Sequence, residues 1–244
     1  MRGDADIASV AALMGEPARA AVLVALADGR ALAASTLAAE AGVGASTVSG
    51  HLARLVEGGL IRAEPSGRNR YFRLAGPEVA DAVEALARLA PTHPVRSLRQ
   101  GTHAEAIRAA RTCYDHLAGR LGVALLEAFV TGGVLRVESR PRAEADPVLG
   151  AGRAQRYTLT DPGRGRLIDL GVDLSRGGRR PLLRYCVDWS EQRPHLGGAL
   201  GAALLDRLVT LGWVVRAERR VIRVTDPGRA GLAGRFGIDV AAVR

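Results

Sequence analysis

The 244 residues contain two cysteines and five histidines. Four of these fall into a repeated pairing: Cys113 with His116, and Cys186 with His195. Read as part of a helix from Thr112 to Val130, Cys113 and His116 stand at i and i+3 on one face of a turn, so both side chains could be aimed at one atom. His195 opens the corresponding later helix, and Asp188 lies between the second cysteine and its histidine. If the repeat brings the pairs together, two thiolates and two imidazoles suffice for tetrahedral zinc or a related transition metal. The same residues have plainer readings. A buried cysteine is an ordinary small hydrophobe, and a histidine at a helix start is often a cap or a packing group. A thiol switch needs only that the two cysteines approach to about 5.5–6 Å at Cα. A small organic effector is a further reading, with Tyr114, Phe129, Tyr185 and Trp189 as its walls and the arginine-rich run from Arg176 to Arg184 as an anion contact. No effector at all is the last reading, and the sequence leaves all four open.

A second set of reactive side chains lies between Ser35 and Arg73. Leu37, Ala38, Ala41 and Val43 form a short apolar face, Gly42 punctuates it, and a second helix buries Val48, Leu52, Leu55 and Val56. Its other face carries Ser46, Thr47, Ser49, Gly50, His51 and Arg54, small hydrogen-bonding groups suited to a DNA major groove. Two alternating runs around Pro65-Ser66-Gly67 read as a basic hairpin. Ser46, Thr47, Ser49 and His51 are the candidates for groove contact. Arg54, Arg68, Asn69 and Arg70 would serve mainly phosphate, and losing Arg68 should weaken binding to every sequence and flatten its salt dependence. The plain alternative is a solvated helix face beside a charged hairpin. Helix, tight turn, helix and basic hairpin together predict a winged helix-turn-helix.

Ala18-Arg19, the run from Ala20 to Leu26, Ala45-Ser46-Thr47-Val48-Ser49 with His51-Leu52 and Leu55, Gly58-Gly59-Leu60-Ile61, and Gly67-Arg68 to Phe72 resemble the ArsR family of bacterial transcriptional regulators. The resemblance covers roughly residues 7 to 90. It implies a dimeric repressor that binds a double-stranded operator through the winged domain, with first and last helices at the dimer interface. It also implies modulation by a metal, a small molecule or thiol oxidation. Gly50 stands where the family often has histidine, so base preference does not transfer. The family's metal positions are empty of donors: Leu32 to Leu37 has no cysteine, and Glu78 to Leu89 has no histidine.

Downstream of the linker Pro91-Thr92-His93-Pro94, the chain repeats itself. His195 to Asp206 mirrors His116 to Glu127, Thr225-Asp226-Pro227-Gly228-Arg229 mirrors Thr160-Asp161-Pro162-Gly163-Arg164, and Gly237-Ile238-Asp239 mirrors Gly171-Val172-Asp173. Each copy reads as helix, hairpin, helix, with a loop from Arg140 to Gly152 in the first. Such copies usually stack on one another. The expected architecture is mainly α with small β-hairpins. A winged helix-turn-helix occupies residues 1–92, and a duplicated, winged-helix-like half for effector binding or dimerisation occupies 93–244, with copies at about 112–174 and 186–240.

Net charge is +9, and all 34 basic residues are arginine. That excess favours a polyanion partner, although uniform arginine also follows from a GC-rich genome. No Gly-rich phosphate loop, nucleophile elbow or metalloprotease signature occurs, so no enzyme is expected. No apolar run reaches about 18 residues, which leads to the expectation of a cytoplasmic protein without a membrane partner. The function expected is a homodimeric repressor of its own or a neighbouring operon, modulated through the C-terminal half. A DNA-binding module without sequence preference or effector is the alternative.

Overall fold

Several helices in this chain begin where a side chain or a proline satisfies the first turn. In the first, Ile7–Met14 (α1), the Asp6 carboxylate accepts from the Ser9 amide. In the second, Pro17–Leu26 (α2), proline takes the first position, and Glu16 accepts from the Ala18 and Arg19 amides at 3.2 and 2.9 Å. Ser97 caps Leu98–Ala109 (α6) through the Gln100 amide. Thr160 and Thr225 cap the helices at Asp161–Leu170 (α8) and Asp226–Phe236 (α10) in the same way.

The computed structural model describes residues 4–66, 69–91, 94, 97–138, 156–175 and 180–242. It comprises two units, Met1–Leu89 and Ala90–Arg244. In the first, α1 and α2 are followed by β1 (Leu32–Ala33), α3 (Ala34–Ala41), α4 (Ala45–Glu57), β2 (Ile61–Ser66), β3 (Asn69–Leu74) and α5 (Pro77–Leu89). The strands form one antiparallel sheet in the order β1-β3-β2, with Ile61 opposite Leu74 and Leu32 opposite Phe72. Leu32-Ala33 is therefore a strand, and α3 follows it directly at Ala34. The core gathers Val22, Leu23 and Leu26 of α2 with Leu37, Val48, Leu52, Leu55, Ile61 and Leu74. On α5, Val79 and Val83 are buried but Leu86 and Leu89 are exposed, as are Ile7 and Val10 on α1.

The second unit opens with α6 and then runs twice through one order of elements. The first pass is β4 (Arg111–Cys113), β5 (His116–Ala118), α7 (Gly119–Thr131), β6 (Leu135–Glu138), β7 (Arg156–Leu159) and α8. The second is β8 (Arg184–Val187), β9 (Pro194–Gly197), α9 (Gly198–Thr210), β10 (Val214–Arg216), β11 (Ile222–Val224) and α10. Four separate antiparallel hairpins result among the described residues. Packing is reciprocal: α7 lies against β9, and α9 against β5. One core holds Leu121, Leu125, Phe129, Leu167, Leu200, Leu204, Leu208 and Leu232.

Two expectations are corrected here. Thr112 to Ala118 is not helical. It is a hairpin with Tyr114-Asp115 at its turn, Tyr114 taking φ 58°, and the helix starts only at Gly119. His195 likewise sits in β9 and opens no helix. The physical reason lies at the helix starts. Gly119 and Gly198 take φ 77° and 83°, and a Cβ there would meet the backbone carbonyls of Arg108 and Leu182 at 2.6 and 2.7 Å. Each pass through this order therefore has a hairpin in front of the expected helix, hairpin and helix. The expected loop from Arg140 to Gly152 lies outside the described residues.

Candidate functional site

On α4 the apolar positions Val48, Leu52 and Leu55 face the core, while Ser46, Thr47, Ser49, Gly50 and Arg54 are exposed on the opposite side. Gly42 ends α3 in the left-handed conformation, φ 66°, which makes the tight turn into α4. No side chain caps α4, so its first amides are free of intrachain side-chain partners among the described residues. Ser49 donates to the Ala45 carbonyl at 2.8 Å. His51 is less open than expected for a groove contact. Its ring lies 3.4 Å from the Glu16 carboxylate and its side chain is 17 % exposed. In the wing, Arg70 is exposed opposite Pro65, and Arg62 and Arg73 converge on Glu64 at 3.2 and 3.0 Å. Arg68 and the side chain of Asn69 lie outside the described residues.

The second candidate lies wholly in the C-terminal unit. Cys113 pairs directly with His116 across the first hairpin, and Cys186 with His195 across the third. Strands β5 and β9 adjoin, and the four donor atoms lie within 4.8 Å of one another. Sulfur stands 3.8 Å from sulfur, and the two Nε2 atoms are 3.2 Å apart, with the rings stacked at a centroid distance of 5.1 Å. Cys113, His116 and His195 are buried, and Cys186 is partly so. The expected constellation is thus assembled, although across hairpins and not on one helical turn.

Each Nδ1 is turned to a carboxylate: His116 to Asp115 at 3.3 Å and His195 to Asp188 at 3.7 Å. Both carboxylates are held by arginine. Arg180 forks onto Asp115, one arm at 3.0 Å. Arg111, fully buried, reaches Asp188 at 2.9 Å, and the Gly119 amide donates to the same oxygen at 2.6 Å. Burial pushes both carboxyls up, but for Asp115 the His116 and Arg180 contacts prevail, and for Asp188 the charges of Arg111 and His195; each falls to about 2. Burial likewise works against the His116 cation, yet the Cys113 sulfur and the Asp115 carboxylate outweigh it and lift that group to about 9.

Residues 14–64 match a family model described as a helix-turn-helix domain. The chain is 35% identical over 238 residues to the uncharacterised HTH-type transcriptional regulator YdfF of Bacillus subtilis (strain 168), spanning 96% of this chain and 99% of that one. The chain belongs to the helix-turn-helix transcriptional regulators. This regulator also resembles two solved structures over its first third. One is the homodimeric winged helix-turn-helix DNA-binding domain of Mb0332 from Mycobacterium bovis (31% identity, 36% of this chain and 88% of that one, TM-score 0.31). The other is the cadmium sensor CMTR from Mycobacterium tuberculosis (31% identity, 38% and 100%, TM-score 0.29). The ArsR-like reading of the first third agrees with the matched domain. Its family is one of regulators and not of enzymes. No single helix among the described residues is long and apolar enough to cross a membrane.

The expected aromatic pocket does not form as one wall. Phe129 is fully buried in the core against Phe236, with centroids 5.2 Å apart. Tyr185 stacks with Tyr157, and Trp189 lies under the Arg111 guanidinium at 4.7 Å. Tyr114 occupies the β4–β5 turn. Of the run from Arg176 to Arg184, residues 176–179 lie outside the described residues, and Arg180 is engaged with Asp115. The sequence marks Asp188 only by its place between Cys186 and His195 and does not single out Arg111, Asp115 or Arg180. The signal available was Arg111 preceding one Cys-His pair, with an Asp beside the other.

Proposed function

We propose that this regulator is a homodimeric repressor that reads a two-fold operator with α4 and the β2–β3 wing. The observation that carries this reading is the division of α4 into a buried apolar side and an exposed face of Ser46, Thr47, Ser49, Gly50 and Arg54. Small hydroxyl groups on such a face reach base edges, and the exposed Arg70 of the wing reaches phosphate. Dimerisation is supported by the exposed large apolar side chains of the terminal helices, Ile7 at 75 %, Leu86 at 50 % and Leu89 at 83 %. A two-fold protein matches a two-fold site.

We read the C-terminal unit as an internal duplication that holds the effector. Its support is the twofold recurrence of element order and of the Thr160 and Thr225 caps. Of the effector classes, a transition-metal ion has a converged donor set in this unit, whereas the four aromatic residues point to different neighbours. The regulator acts on DNA in the cytoplasm, with the domain boundary near residue 92.

Footprinting over the gene's own upstream region tests the repressor. Two protected half-sites, about one or two helical turns apart, are expected. Uniform, weak coating would instead mark a DNA-binding module without sequence preference.

A further inference from the structure

We infer that Cys113, His116, Cys186 and His195 form a closed four-coordinate site for a zinc-class divalent cation, half of it supplied by each copy of the C-terminal unit. The inference deepens the proposed effector reading and rests on it only for the regulatory role. Tetrahedral zinc with bonds of about 2.3 Å to sulfur and about 2.0–2.1 Å to nitrogen requires edges of about 3.8 Å between sulfurs and about 3.3–3.4 Å between nitrogens. The observed edges are 3.8 and 3.2 Å. A thiol pair poised for a disulfide would explain the first edge alone. A hydrogen bond between imidazoles would explain the second alone. Neither explains why both pairs converge within 4.8 Å.

The surroundings agree with that assignment. Both histidines present Nε2 inward; His116 turns Nδ1 to Asp115 within hydrogen-bond reach at 3.3 Å, the outer-shell arrangement that fixes the tautomer and orientation of a ligating imidazole, while His195 Nδ1 faces Asp188 at 3.7 Å. The buried His195 Nδ1 makes no hydrogen bond, and the nearest charged group is the Asp188 carboxylate at 3.7 Å. Charge also balances. A dication is bound by two thiolates and two neutral imidazoles, so the protons carried by the thiols and by His116 leave on binding, and the cation and two thiolates together are neutral. Asp115 is neutralised by Arg180, and Asp188 by Arg111. A neutral assembly is what a buried site tolerates. Two soft thiolates and two imidazoles in tetrahedral array select zinc over the hard, oxygen-seeking magnesium and calcium. With three of the four donors buried, no open position is offered to a substrate, so the site is of the structural or sensing kind.

The test uses the full-length protein, stripped with chelator under reductant and titrated with cobalt(II). The expected result is one cobalt per chain, with intense visible ligand-field bands of tetrahedral geometry and a near-ultraviolet thiolate charge-transfer band, all abolished by one equivalent of zinc. Cys186→Ser should lose about half the charge-transfer intensity. Asp115→Asn should keep the spectrum but weaken affinity about 10–100-fold. The wild-type titration does not depend on any variant folding. Weak octahedral bands, or no uptake, would overturn the site. So would a mass two hydrogens lighter with no metal, which marks a disulfide. DNA affinity is measured on the same samples. A tetrahedral spectrum with equal operator affinity in both forms upholds the site and removes it as the switch. Operator binding without cobalt uptake overturns the site and leaves repression standing.

Discussion

Gly201→Ala isolates the close approach on which the C-terminal unit depends. Gly201 is buried in α9, and a Cβ there would lie 2.3 Å from the Leu196 carbonyl oxygen and 3.1 Å from His116 Cβ. Gly122 is its counterpart in α7, at 2.6 Å from the Leu117 carbonyl and 3.5 Å from His195 Cβ. In each case the first obstacle is the backbone carbonyl of the strand that leads into the same helix, which cannot rotate away, and the next is a histidine Cβ of the other hairpin, so the helix must shift against both. Overpacking of this kind costs about 1–3 kcal/mol. A 2.3 Å approach to backbone belongs to the upper part of that range, about 2–3 kcal/mol, and alanine's better helix propensity returns about 1 kcal/mol, which leaves a net loss of about 1–2 kcal/mol. For a domain of this size each kcal/mol moves the melting temperature by about 2–4 °C, so a fall of about 2–8 °C is expected. Thermal melting of the metal-free protein is the assay. The control is Gly165→Ala in α8, an exposed helical glycine with nothing within 4 Å of its Cβ position. It should raise stability by about 0.5–1 kcal/mol, the opposite sign. Gly201→Ala behaving like Gly165→Ala would refute the reciprocal packing of α9 on the hairpins.

Asp188→Ala leaves the buried Arg111 charge without its carboxylate, and should cost about 3–5 kcal/mol in a denaturant titration. Asp115 and Asp188 both titrate at about 2 when folded, below the ordinary 3.8, so their stabilisation is present above about pH 4 and lost as pH falls toward 2. Acid unfolding followed by circular dichroism should show that loss, and Asp115→Asn should shallow it. Thr160→Ala and Thr225→Ala each remove a cap that accepts from an amide at 3.0 Å, and each should lower unfolding free energy by about 0.5–2 kcal/mol. Arg70→Ala in the wing should weaken DNA binding similarly for operator and random duplex and reduce the salt slope by about 1, as read by fluorescence anisotropy across a salt series.

The winged domain was legible because its signals are local: Val48, Leu52 and Leu55 at helical spacing, Gly42 at the turn, and a hairpin of two six-residue strands. The Cys/His set was legible in membership but not in geometry. A separation of three residues places two side chains together on a helix, and equally on a hairpin flanking a two-residue turn. Strands of three residues, Arg-Thr-Cys and His-Leu-Ala, are too short to show alternation, while the apolar run that follows them pulls the whole segment toward a helical reading. Phe129 failed as a pocket wall because an aromatic on a Leu/Ala-rich helix face has the core as its ordinary destination. Arg111 could not be placed from sequence, since its partner lies 77 residues away and only tertiary packing brings a buried arginine to a buried aspartate.

That the donors are split between two hairpins gives the proposed site its leverage. Each hairpin offers one sulfur and one imidazole, and two donors alone hold a cation weakly. The four-donor set exists only while α7 lies on β9 and α9 on β5, so anything that binds all four favours that packing. A ligand confined to the folded state stabilises by about 4 kcal/mol at a thousandfold excess over its dissociation constant. This exceeds the 1–2 kcal/mol assigned above to the Gly201→Ala clash. The variant that loosens the copies should therefore regain its melting temperature in saturating zinc. Gly165→Ala and the wild type should rise in parallel, because the cation stabilises the same closed arrangement in each. Occupancy of the cluster and docking of the two copies are on this account one equilibrium.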